Sequence, residues 1–172
     1  MTTGSAELVV RVAAPSDPLA RPLFADLARE YGTRYGGTPE EVRAELERYP
    51  ASEFAAPHGV LLLLLGDGAA VAGGAYRRYD PRTAELKRIW THPAHRRRGL
   101  ARRVLTELER RAVANGYDRV FLTTGPRQPE ARHLYLTAGY APQFDVDADP
   151  ETIGALAFTK DLPARPWPAA TG

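Results

Sequence analysis

The hexapeptide Arg96-Arg97-Arg98-Gly99-Leu100-Ala101 constrains this chain more than any other stretch. It follows a strand-like run over residues 84–91 through His92-Pro93-Ala94-His95. It then leads into an apolar series at helical spacing: Leu100, Val104, Leu105, Leu108 and Ala112. A glycine-containing, arginine-rich turn therefore opens an amphipathic helix directly after a strand. Backbone N–H groups and the positive end of the helix dipole converge at such a turn, which suits a phosphate or pyrophosphate. Gly99 presents no side chain to block close approach of the anion.

The rest of the chain supplies the elements for one sheet. Residues 7–14 read as a first strand. Asp17 is placed to cap a helix that begins at Pro18 and carries Leu19, Leu23, Leu27 and Tyr31, ending near Gly32. Thr38-Pro39-Glu40-Glu41 opens a second helix with Val42, Leu46 and Tyr49. Residues 59–65 and 70–79 form a hairpin about Gly66-Asp67-Gly68, and Asp80-Pro81-Arg82-Thr83 turns the chain into the strand before the loop. Asn115-Gly116 stops the long helix, and residues 118–124 read as a strand. Pro129-Glu130 opens a short helix ended by Gly139, and residues 140–144 and 155–161 form a last strand pair. This order predicts an α+β fold, a mixed sheet of about six to seven strands flanked by about four helices. No linker or repeat divides the chain, so a single domain over residues 1–162 is expected, with 163–172 as a disordered tail.

At this point the sequence resembles a known family. The pattern Arg/Gln-x-x-Gly-x-Gly/Ala matches Arg96 to Ala101 and is similar to the acetyl-CoA pyrophosphate loop of the GCN5-related N-acetyltransferases. Residues 130–140, with Tyr135 ahead of the closing Gly139-Tyr140, resemble the late helix of the same family. The resemblance implies that acetyl-CoA, as co-substrate, slots between two parallel strands that splay apart, here those at 85–91 and 118–124. The pyrophosphate would rest on the loop from Arg96 through Arg97, Arg98, Gly99, Leu100 and Ala101 to Arg102. The pantetheine arm would pair with backbone groups near Ile89 and Thr91, completing an open strand edge. A backbone N–H near Ile89 or Trp90 would stabilise the oxyanion, and the Trp90 side chain would pack or wall the pantetheine.

Two proton steps remain. The resemblance implies Tyr135 as the donor to the departing thiolate, against a plain reading as an aromatic core residue. Glu85, eleven residues before Arg96, matches the position of a family glutamate that accepts the amine proton. It competes with a reading in which Glu85 pairs with Lys87 or Arg77 across the sheet. The function implied is acetyl transfer to a primary amine of a small molecule or peptide, by direct attack in a ternary complex. The alternative is a non-catalytic CoA-binding sensor of the same fold. Acceptor contacts are expected from residues 26–37, where Arg34 could hold a carboxylate. They are also expected from residues 144–152, with Asp145, Asp147, Asp149 and Glu151 as either an acidic wall or a solvated loop.

Composition narrows the classes. The chain has no cysteine, which excludes disulfides, thiolate metal sites and a covalent acetyl-cysteine. His92 and His95 lack a third ligand nearby, so no metal is expected. A net charge of +2 argues against a nucleic-acid partner despite the arginine cluster. The first residues show no basic and apolar signal pattern, and the most apolar run, residues 60–65, is too short to span a bilayer. A cytoplasmic protein without membrane association is expected, and a homodimer is a fair expectation.

Overall fold

The computed structural model describes residues 7–163, so the expected tail lies outside the described residues apart from Pro163. In chain order they form β1 (Val9–Val12), α1 (Arg21–Tyr35), α2 (Pro39–Leu46), β2 (Val60–Gly66), β3 (Ala69–Asp80), β4 (Thr83–Thr91), α3 (Leu100–Ala114), β5 (Arg119–Thr124), α4 (Pro129–Thr137), β6 (Ala141–Pro142), α5 (Pro150–Ile153) and β7 (Leu156–Asp161). The strands build a seven-stranded sheet in the order β1-β2-β3-β4-β5-β7-β6. Only β4 and β5 run parallel; every other neighbouring pair is antiparallel.

The sheet is covered on both faces, which explains the unbroken apolar run of β2. Leu62 and Leu64 face a core shared with Val104, Leu105 and Leu108 of α3, whereas Leu61, Leu63 and Leu65 face Leu23 and Leu27 of α1. Gly74 of β3 is required by close approach. A Cβ there would stand 2.7 Å from Ile89 Cδ1 and 2.9 Å from Val104 Cγ1. The missing Cβ lets α3 lie down on β3, the neighbour of the strand that carries the loop.

Three expectations shift. Asp17 does cap Pro18, but the turn it starts is 3-10 over Pro18–Ala20, and the α-helix begins at Arg21. That helix continues through Gly32 to Tyr35, where Gly36 at φ 75° ends it. A glycine inside a helix costs only about 1 kcal/mol, and the packed face of α1 outweighs it. The strand expected over 140–144 shortens to Ala141–Pro142, with one further bond to β7 from Gln143 N–H to Ala157 O at 2.9 Å. Among the described residues no helix is long and apolar enough to cross a membrane.

Candidate active site

β4 and β5 share only three rungs, Thr83 with Arg119, Ala84 with Val120 and Glu85 with Phe121. Beyond Glu85 they part: β4 stays with β3 while β5 stays with β7. The parting leaves one edge of β4 unpaired. The His92 N–H donates to Val71 O across β3. Antiparallel alternation therefore turns the N–H and C=O of Thr91 toward the gap, and the alternation is interrupted between Lys87 and Trp90, where Ile89 lies. The Trp90 main chain faces β3 instead.

At the end of β4 the loop delivers what its sequence promised. Gly99 adopts φ 71° and Arg97 φ 65°, and α3 starts at Leu100 with no side-chain cap and no acidic residue in its first turn. Its first backbone bond runs from Arg103 N–H to Gly99 O at 3.1 Å. The N–H groups just before it accordingly have no helical acceptor and sit at the positive end of the dipole.

The gap opens into a cleft of about 680 Å³ walled by α1, α2, the parted strands and α4. Tyr135 lies in this wall, 6% exposed, and its hydroxyl has no hydrogen-bond partner among the described residues. Burial, with Tyr31 adding to it, pushes the phenol well above its ordinary range, so it stays protonated. Glu85 also lines the cleft. Its Oε1 accepts from Arg77 Nη1 at 2.8 Å, and Lys87 Nζ stands 3.7 Å from Oε2. Both partners named for the pairing role are thus in place, while the carboxylate still borders the cleft.

Several expected contacts are arranged differently. Trp90 is 3% exposed within the α1-side core and donates from Nε1 to Asp26 Oδ2 at 3.1 Å, so its side chain packs and does not wall the cleft. The Leu100 side chain is buried too, which leaves only its N–H for a ligand. Arg96 is paired with Glu30 of α1. Arg34 pairs with Glu130 and donates to Arg127 O, which ties α1 to the β5–α4 loop and removes it as a carboxylate holder. The acidic segment is local structure: Asp145 accepts from the Asp147 N–H, Asp149 caps α5, and Glu151 pairs with Arg127. None of these four carboxylates lines the cleft. His133 is exposed on α4.

Residues not anticipated come from α2 and from β4 itself. Glu41, Glu45, Arg48 and Tyr49 line the cleft beside Lys87 and Arg88. Arg88 takes φ 60° at an irregularity where Gly73 pairs with Trp90 and Ala75 with Lys87, so β4 carries one extra residue. An arginine at positive φ leaves no mark in a strand-like sequence.

Residues 22–140 match the model of the acetyltransferase (GNAT) family. The chain belongs to that family. A stretch of 93 residues is 34% identical to an uncharacterized N-acetyltransferase, YsnE, of Bacillus subtilis, covering 51% of this chain and 62% of that protein. Among solved structures, an acyl-CoA N-acyltransferase of Klebsiella pneumoniae aligns with TM-score 0.67 at 24% identity, over 91% of this chain and 99% of its own. PaiA N-acetyltransferase of Thermoplasma acidophilum, solved in complex with coenzyme A, aligns with TM-score 0.68 at 15% identity, over 90% of this chain and 99% of its own. At these identities the structural likeness speaks to the fold: the mixed sheet with flanking helices is that of the acyl-CoA N-acyltransferases.

Proposed function

We propose that this chain transfers acetyl from acetyl-CoA to a primary amine by direct attack in a ternary complex, within a single unit spanning 1–162. The observation that carries the reading is the parted β4–β5 pair, with its free main-chain edge running into an uncapped helix N-terminus. The pyrophosphate takes the N–H groups leading into α3. Arg97, Arg98 and Arg102 add charge-assisted contacts. The pantetheine amides pair with the edge at Thr91 and Ile89. That edge also holds the N–H for the developing oxyanion, at Ile89 rather than Trp90.

The attacking amine must arrive neutral, and Glu85, on the cleft wall at the point where β4 and β5 part, is the carboxylate assigned to accept its proton, directly or through water. When the tetrahedral intermediate collapses, the C–S bond breaks and Tyr135 donates to the leaving sulfur. A phenol that stays protonated in its buried setting is suited to that step. The Tyr135 hydroxyl is tied to no group of the described residues and lies on the cleft wall, free to meet the leaving sulfur, which supports catalysis over a CoA-binding sensor.

Thermal unfolding with acetyl-CoA at about a hundred times its dissociation constant should raise stability by about 2.7 kcal/mol, or about 5–10 °C. The double variant Arg98→Glu, Gly99→Glu should abolish that shift. It should still fold, since a Cβ at Gly99 meets nothing within 4 Å and the left-handed φ of 71° costs a non-glycine residue only about 1–2 kcal/mol. No shift in the parent protein overturns the reading.

A further inference from the structure

A second cavity, of about 990 Å³, lies between α1 and α2 and shares Arg88, Val42, Leu46 and Tyr49 with the transfer cleft. Its walls are largely apolar, with Phe24, Ala28 and Pro50 among them. Its charges are one-sided. Arg21, Arg29, Arg43 and Arg88 line it against Glu47 alone. Arg29 is taken up by Asp26.

Arg88 stands apart from the other three because it belongs to both spaces. Its guanidinium lies over the Phe54 ring at 4.2 Å and the Phe24 ring at 5.1 Å. One Nη2–H donates to Leu46 O. No carboxylate of the described residues forms an ion pair with it, whereas the neighbouring Lys87 and Arg77 both pair with Glu85. A guanidinium has five donors, so one N–H on Leu46 O and two neighbouring rings leave most of its polar edge unspent. Half-burying a cation with no counter-charge carries a cost, and that partial burial lowers its proton affinity. Main-chain strain adds to that cost, since the bulge holds an arginine at φ 60°. A feature that expensive at the junction of two cavities is explained by an anion that arrives with the ligand.

We propose that Arg88 is the anchor for a carboxylate of the acceptor. The acceptor is then an amine that carries its own carboxylate, an amino acid or short peptide, with an apolar body between α1 and α2. The inference rests on the acetyltransferase reading above. The amine end faces Glu85 and Tyr135, and the carboxylate end takes the fork of Arg88, so the two charged ends of a zwitterion meet groups of opposite kind.

The test is calorimetric binding to the protein saturated with coenzyme A. The panel comprises α-amino acids, ω-amino acids and dipeptides with apolar side chains, each paired with its C-terminal amide. At least one acid should bind roughly 10- to 100-fold more tightly than its amide, as loss of a charge-assisted hydrogen bond requires. In Arg88→Gln that ratio should fall below about threefold while coenzyme A binds as before, and Arg88→Lys should restore part of it. Equal binding of acid and amide, a ratio unchanged in Arg88→Gln, or no binding by any pair to the CoA-loaded protein each overturns the proposal and leaves CoA binding intact. Failure of coenzyme A itself to bind overturns the acetyltransferase reading, and the proposal with it.

Discussion

The two sides of the cleft are made of different material. The side formed by β4 and the start of α3 is main chain: an unpaired strand edge and N–H groups ahead of the first helical bond. The side formed by α1, α2 and the bulge of β4 is side chains: Tyr31, Glu41, Glu45, Tyr49 and Arg88. A main-chain surface recognises what every member of a cofactor-sharing family must hold, because amides and phosphates need only N–H and C=O groups in fixed positions. A side-chain surface is free to vary with the acceptor. The comparison separates cofactor from acceptor recognition in space, and the two should respond separately to substitution.

The sharpest attempt to break the comparison is Tyr135→Phe, because Tyr135 comes from α4 and stands where the two sides meet. No hydrogen bond is lost on truncation, so the fold and the acetyl-CoA-induced thermal shift should persist. Steady-state kinetics should show kcat lower by about a hundredfold, roughly 2.7 kcal/mol, with the KM for acetyl-CoA unchanged. Retained kcat would return Tyr135 to a packing role.

A smaller effect concerns alkaline pH. Burial raises the hydroxyls of Tyr135 and Tyr140 above their ordinary value, and Glu109 adds to this at Tyr140. The folded state then holds protons that the unfolded chain releases near pH 10. The stabilisation is full below about pH 10 and is lost as pH rises past it, by up to about 1.4 kcal/mol per pH unit for each tyrosine. Denaturant midpoints measured from pH 8 to 11 should fall accordingly, and Tyr135→Phe should make the fall shallower. An unchanged slope in the variant would mean that this hydroxyl is hydrated in the folded protein.

The smallest effect tests the acceptor side alone. Thr38 and Glu41 form a reciprocal capping box at the start of α2, with bonds of 3.1 and 3.0 Å. Thr38→Ala should cost about 1 kcal/mol and lower the melting temperature by about 2–4 °C. It should raise the acceptor KM and leave the acetyl-CoA shift in place. A weakened cofactor shift would show that the two sides are coupled.

What was legible in the sequence follows the same division. Loop, glycine and helix stood in six consecutive residues, and main-chain sites of this kind are local by nature: Gly99 turns, α3 starts, and the N–H groups follow. The hairpin, the cap at Thr38 and the long helix were legible for the same reason. Helix α1 was read short because Gly32 is a local stop signal, while the packing of Leu23 and Leu27 against β2 is not local. The sequence leaves Trp90 open between packing and walling the pantetheine, because alternation along β4 does not show which face meets Asp26 of α1. The sequence leaves Arg34 open as a carboxylate holder, and the acidic residues after Phe144 open between an acceptor wall and a solvated loop. The partners of Arg34 and Glu151, which are Glu130 and Arg127, belong to other elements.

By itself the sequence determined the strand–loop–helix junction, the mixed-sheet architecture and the family, because each rests on short-range pattern: residue periodicity, caps and a glycine turn. Tertiary structure alone decided the acceptor side. Arg88 acquires its meaning only when a bulge breaks the strand's alternation, Phe24 and Phe54 stand beside its guanidinium, and Glu85, the carboxylate on its own strand, is paired with Arg77. Those conditions depend on contacts between residues tens of positions apart, and charge balance in a buried space is a property of the assembled fold.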